Sequence, residues 1–286
     1  MSSLDQFASV FNAAAKPVYR HAEVEISKVL VITDLEEAQA KLYQQSIRNF
    51  LSVADRGADA DWHTVPGKDF TTVHNLIQLV EKERPDVIAT YRHLHSEAWR
   101  WPYSLGEHLD VLIQVTDSPV LVLPHPDRKG VPEHALKDTT HVMAVTDHLA
   151  GDDRLVHYAV RFTQENETLI LAHVEDEMVF SRYMDSISKI REIDTDVARD
   201  AIMEQLLSEP RGYISSCTEV LEKERIKLLI ESSVTVGHRL DHFQGLLKEY
   251  QVDLMVMNSK DEDQLAMHGK AHPLAVELRS TPLLFL

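Results

Sequence analysis

Seven short apolar runs punctuate the chain: VLVI (29–32), DVIA (86–89), VLVL (120–123), VMAV (142–145), LILA (169–172), LMVM (254–257) and LLFL (283–286). Runs of this length without polar alternation suit strands covered on both faces. Between them, apolar residues recur at helical spacing and predict helices over 35–55, 71–84, 103–117, 152–164, 238–250 and 273–280. In the third, Leu105, Leu109, Leu112 and Thr116 share one stripe, with Ser104 as the N-cap. Pro273 suits the first turn of the last helix, and Gly269 ends a short turn before it. Strand and helix alternate, which predicts an α/β fold with doubly wound, Rossmann-like parallel sheets.

The pattern nearly repeats. KVLVITD at 28–34 is matched by HVMAVTD at 141–147, and PDVIATY at 85–91 by VDLMVMN at 252–258. LGEHLDVLIQVTDSPVLVL (105–123) is matched by HGKAHPLAVELRSTPLLFL (268–286), with Gly106 and Gly269 each 13 positions before a proline, Pro119 and Pro282. Two domains are expected, 1–130 and 131–286, joined by the Pro/Gly-containing PHPDRKGVPEH (124–134). Their middles differ: Asp34 to Asp86 is 52 positions, whereas Asp147 to Asp253 is 106. The first domain is therefore expected to lack one strand–helix unit, with ETLILAHVED (167–176) a strand it does not have. The second is expected to carry a helical insertion over 177–231, broken near SEPRG (208–212), with a helix start at DTD (194–196) and a second amphipathic run at LEKERIKLLIE.

The strand-ending aspartates of VITD and AVTD, the Asp-led fourth strand and the Gly–helix–Pro–strand close of each half resemble the universal stress proteins, in a tandem two-domain arrangement. The resemblance runs from about residue 26 to 286. It implies a five-stranded parallel sheet per domain, dimer-like pairing of the final strands, and a role in stress tolerance without known catalysis. Many such proteins bind ATP through G-x-x-G, nine residues, then Gly followed by Ser or Thr. Glycines there let backbone N–H groups approach phosphates at a helix N-terminus. The last glycine is kept here as Gly106 and Gly269, but Glu107 and Lys270 replace the hydroxyl residue. The paired glycines are replaced by Tyr91 and Leu94 in the first half, and by Asn258 and Asp261 in the second. Side chains at those places block close backbone approach. Asp261, Glu262 and Asp263 would repel phosphates by several kcal/mol at short range, unless a metal intervened.

Composition narrows the function classes. The net charge is −17, divided as −5 over 1–130 and −12 over 131–286, which repels nucleic acid and anionic membrane. Cys217 is the only cysteine, so no intrachain disulfide is available, and its neighbours make it a helix-packing residue. No signal-peptide pattern or membrane-length apolar stretch occurs, so a cytoplasmic location is expected. His93 and His95 share one side of an extended segment, with His108 further on, but no acidic or cysteine partner stands at metal-ligand spacing. Gly269 and Pro273 break the helix that would align His268 with His272. No metal site is expected. Trp99, Trp101 and Tyr103 form an aromatic cluster that either plugs the first pocket or offers a contact surface.

Neither a Ser-His-Asp order, a nucleophile elbow nor a carboxylate pair supports an enzyme. The sequence reads as a non-enzymatic, cytoplasmic stress-response protein acting through an unidentified protein partner, with ATP binding lost. The competing reading is a nucleotide-binding regulator, or slow ATPase, working through a modified second-domain loop. Asp34 and Asp147 are then the ligand-proximal aspartates, and Gly106 and Gly269 the remaining phosphate-loop glycines. Without a ligand, the two aspartates are helix caps or loop anchors. The strands PVLVLP and PLLFL close equivalent sheet edges and are expected to pair inside one chain as an internal pseudo-dimer, leaving a homodimer open.

Overall fold

A computed structural model describes residues 18–55, 59–100, 104–127, 136–145, 149–190, 194–259 and 271–286. The first half contributes β1 (Lys28–Ile32), α1 (Glu37–Phe50), β2 (Asp61–Val65), α2 (Val73–Glu83), β3 (Val87–Tyr91), α3 (Glu107–Val115) and β4 (Val120–Leu123). The second contributes β5 (His141–Val145), α4 (Asp153–Phe162), β6 (Thr168–Asp176), α5 (Glu177–Ile187), α6 (Thr195–Lys223), β7 (Leu229–Gly237), α7 (Arg239–Glu249), β8 (Leu254–Met257), α8 (Ala271–Glu277) and β9 (Leu283–Phe285).

The strands form one nine-stranded sheet in the order β2-β1-β3-β4-β9-β8-β5-β6-β7. Every neighbouring pair is parallel except β4 and β9, which run antiparallel with Val120 opposite Phe285, Leu121 opposite Leu284 and Val122 opposite Leu283. The two expected closing strands therefore do pair within one chain. Their inner edges, which would otherwise expose unpaired backbone groups, are hidden in the middle of the sheet.

Alternation along each strand divides the core in two. Leu30, Ile32, Ile88, Val122, Met143 and Met255 face one side, under α2, α3, α7 and α8. Val29, Val31, Ala89, Leu121, Leu169 and Leu254 face the other, under α1, α4 and the C-terminal half of α6. Both faces of the central strands are covered, so their runs are apolar at every position. Each fully buried Val, Leu or Ile contributes about 1.5–3 kcal/mol by leaving water.

The repeat extends to single hydrogen bonds. Asp86 Oδ2 accepts from the Ser27 and Lys28 amides at 2.8 and 2.9 Å, tying β3 to the start of β1. Asp253 Oδ2 accepts from the His141 amide at 2.9 Å and the Thr140 hydroxyl at 3.0 Å, tying β8 to β5. The Ile88 amide donates to Pro119 O, and the Met255 amide to Pro282 O. The Asp and Pro shared by the two halves thus have one task each: lacing the starts of three strands together.

Four expectations need correction. The first half does have a counterpart of β6: β2 pairs with β1 as β6 pairs with β5, so among the described residues it is β7 that has no counterpart there. α6 is unbroken from Thr195 to Lys223, and SEPRG lies inside it with Pro210 on the buried stripe beside Leu207, Tyr213, Ile214 and Cys217. LEKERIKLLIE is not one helix: the chain turns at Arg225, whose φ is +62°, and enters β7. The N-cap of α3 is Gly106 rather than Ser104, because the chain at 105 bends toward His93, whose amide donates to Leu105 O. Asp194 caps α6 as expected, accepting from the Asp196 and Val197 amides.

Candidate functional site

The carboxyl ends of β1 and β3 meet where an open α/β sheet ordinarily receives its ligand. β1 delivers Thr33 and Asp34 there, and β3 delivers Tyr91, followed by Arg92, His93, Leu94 and His95. Tyr91 is fully buried. Its hydroxyl donates to Asp34 Oδ1, accepts from the Asp34 amide at 3.1 Å, and lies 2.7 Å from Thr33 Oγ1. Thr33 Oγ1 in turn accepts from the Leu35 amide at 3.1 Å. Burial, reinforced by the Asp34 carboxylate, pushes the Tyr91 phenol well above its usual range, so it stays a donor. The other carboxylate oxygen, Asp34 Oδ2, accepts from the His95 amide at 2.8 Å. Asp34 is thus a loop anchor whose two oxygens are both held by the segment after β3.

That segment packs tightly. His93 and His95 adopt left-handed backbone, with φ of +63° and +58°. His93, Leu94 and Arg92 are buried. Gly106 sits at φ +91° against the His93 backbone, so near that an added Cβ would stand 2.8 Å from His93 Cα. The glycine kept at this position here serves close packing of the chain on itself. Phe70 holds His95 and His108 around its ring, at centroid distances of 4.7 and 5.7 Å, and Tyr91 stands between Tyr43 and His125. Burial lowers the imidazole pKa values of His93, His108 and His125. His108 Nε2 is buried and has no hydrogen-bond partner, as befits a neutral ring.

Arg92 leaves this segment in the opposite direction. Its guanidinium donates twice to Ala275 O, at 3.1 and 2.6 Å, and once to Leu278 O at 3.1 Å, capping the last turn of α8 from the other half. Nothing in the motif comparison singled out Arg92; a charged residue directly after the apolar run VIA and its two following residues was the available signal.

In the second half, Asp147, Gly269 and Asp261 to Asp263 lie outside the described residues, as do His268, Trp101, Tyr103 and the Trp99 side chain. What is described beside them is also occupied. Asn258, at a glycine position of the motif, donates from Nδ2 to Asp152 Oδ2 at 2.6 Å, while Asp152 Oδ1 caps α4 through the Leu155 amide. Burial raises the Asp152 carboxyl pKa. His272 faces Asp110 across the two halves at 3.7 Å. Cys217 is fully buried, its thiol pushed up to about 12 by burial and by nearby Asp153. Among the described residues no group of three or more His, Cys, Asp or Glu side chains is placed to hold a metal ion. No described helix is long and apolar enough to cross a membrane.

The second-half order β9-β8-β5-β6-β7 is a five-stranded parallel sheet, and the described residues of the first half repeat its first four strands as β4-β3-β1-β2. Over nearly its whole length the chain is similar to the functionally unknown protein PA1789 from Pseudomonas aeruginosa PAO1, at 12% identity and a TM-score of 0.51, covering 91% of this chain and 92% of that one. A putative universal stress protein from Pseudomonas aeruginosa UCBPP-PA14 is also similar, at 12% identity and a TM-score of 0.49, covering 91% of this chain and 93% of that one. So is a universal stress protein from Archaeoglobus fulgidus DSM 4304, at 14% identity and a TM-score of 0.49, covering 90% and 95%. The α/β fold, with its largely parallel nine-stranded sheet, is the one shared with PA1789. No family model and no curated protein matches the sequence. At such identities the likeness is one of backbone, and whatever the chain does must be argued from its own side chains.

Proposed function

We propose that the chain is a non-enzymatic universal-stress-type protein that acts in the stress response by binding other proteins, with ATP binding lost. What carries the reading is Asp34. Both of its carboxylate oxygens are taken by the segment that, in a nucleotide-binding relative, would be glycine-rich and open. A ligand hydroxyl or base would have to displace these bonds, at about 1–3 kcal/mol for each buried group left unmade. Tyr91 and Leu94 stand as buried side chains at the two places where the motif has glycines, which argues against close backbone approach to a phosphate there. For the second half, support comes from Asn258 held by Asp152 and from Lys270 in place of the hydroxyl residue.

The test is genetic. A strain lacking the gene is challenged with stress and complemented with wild type, with Asp147→Ala/Gly269→Ala, and with a chain truncated before the second half. The reading predicts full rescue by the double variant at equal protein level. Loss of rescue by a soluble, folded double variant would favour the nucleotide-binding regulator instead, with Asp147 and Gly269 as its ligand contacts.

A further inference from the structure

Each half of the sheet has two edges, and three of the four are dealt with. β4 and β9 cover one another. β2 is only five residues long and opens on an exposed aspartate, Asp61. β7 is different: nine residues, LIESSVTVG, with no lysine or proline and one charge, Glu231. Long edges without such guards are templates for another strand.

The hydrogen-bond phase of β7 follows from one contact. The Leu229 amide donates to Glu167 O at 2.9 Å, so residues 229, 231, 233, 235 and 237 turn their N–H and C=O groups toward β6. Ile230, Ser232, Val234 and Val236 therefore turn theirs outward. Among the described residues none of these four outward residues has a backbone partner on that side.

We propose that two copies of the chain join through their β7 edges, antiparallel about a two-fold axis at Ser233. In that register Ile230 lies opposite Val236 and Ser232 opposite Val234, so all four outward residues of each copy exchange both hydrogen bonds with their counterparts. Glu231 lies opposite Thr235 rather than its own copy, so no like charges face each other directly. No outward group is left over, which is what makes a second copy the occupant that fits.

A single strand pair is too small for a stable interface, which needs about 1,200–2,000 Å². The helices before β7 supply more. α5, α6 and the turn between them carry Met178, Tyr183, Ile190 and Val197 at 67%, 66%, 46% and 55% exposure, and both helices pack against β7. These apolar groups belong to the hairpin that packs against β7, and a second copy seated on that edge would cover them in part. The pairing needs no nucleotide and does not rest on the reading of Asp34.

The test is the association state of the full chain by sedimentation velocity at tens of micromolar, for wild type, Val234→Pro and Ser232→Lys. Proline at 234 removes an outward N–H that β6 does not use, so the fold is kept and the dimer weakens at least about tenfold. Ser232→Lys places a gatekeeper on the same edge and serves if the proline variant unfolds. Ser233→Cys fixes the register, because a non-hydrogen-bonded pair brings Cα atoms to about 4.5 Å, within disulfide reach. Mild oxidation of that variant is expected to give a covalent dimer, with buried Cys217 inert. A monomeric wild type overturns the proposal. So does a dimer that withstands both edge variants and does not cross-link in Ser233→Cys, which would place the contact elsewhere. Deleting residues 1–17 identifies the rival occupant: a monomer that dimerises only after that deletion would mean the chain's own start covers the edge.

Discussion

At the scale of single residues, the clearest feature is a polar cluster that satisfies itself. Tyr91→Phe removes one hydroxyl that serves the Asp34 carboxylate, the Asp34 amide and Thr33 together. The buried partners left behind should cost about 1–3 kcal/mol, read as a lower urea midpoint at unchanged slope. The histidines behind it carry a pH signature. His93, His108 and His125 have folded pKa values below the ordinary imidazole value of about 6.5. The unfolded chain then binds protons first, so their share of stability is intact above that value and is lost as pH falls through it. His108 faces His95, Glu107 and Asp34. Half-buried Asp110 and Asp152 and buried Asp253 work in the opposite sense, since their raised carboxyl pKa values relieve a penalty as pH falls. The imidazole part is therefore isolated by difference: His108→Phe should flatten the fall in melting temperature between neutral pH and about pH 5.5, relative to wild type.

At the scale of elements, α6 holds a proline in the middle of a 29-residue helix. Pro210 has no N–H to offer the Leu206 carbonyl, and its ring crowds the preceding turn. Pro210→Ala should stabilise the protein by about 1–3 kcal/mol, measured as a raised thermal midpoint; a fall would mean that the ring's packing outweighs the missing bond. The same helix marks where sequence reading stopped short. A proline and a glycine together read as a break, yet the stripe of Tyr213, Ile214, Cys217 and Leu221 against the sheet holds the helix through them. The interior strands were legible because burial on both faces demands unbroken apolar runs. β2 and β7 were not, because edge strands are half exposed and DWHTV and LIESSVTVG carry polar residues through their length. The candidate site was legible in part: Asp34 and the substituted glycine positions stood out in the sequence, and the residues at two of those positions, Tyr91 and Leu94, are buried side chains. That Tyr91 would reach back to Asp34, or that Arg92 would cap α8, depends on distances across 57 and 183 residues that no local pattern carries.

At the scale of the whole molecule, the two halves are fastened at more than the β4–β9 seam. Arg161 of α4 donates to the carbonyls of Val24, Val53 and Ala54, and the Tyr19 amide donates to Ser216 Oγ on α6. Arg92 makes the reciprocal tie from the first half to α8. Arg92→Ala should cost about 2–4 kcal/mol, because it strands buried carbonyls at a helix end, and calorimetry should still give one unfolding transition for the joined sheet. Two resolved transitions would mean that the halves fold as separate units. The net charge of −17 adds a field that keeps anions at a distance from the assembled surface.

The closure of the nucleotide pocket is the claim on which the functional reading rests, and titration calorimetry of the dialysed protein with Mg²⁺-ATP tests it most directly. The account predicts no heat of binding up to millimolar ATP and no nucleotide released on denaturing the purified protein. Binding at micromolar ATP that is lost in Asp147→Ala would contradict it.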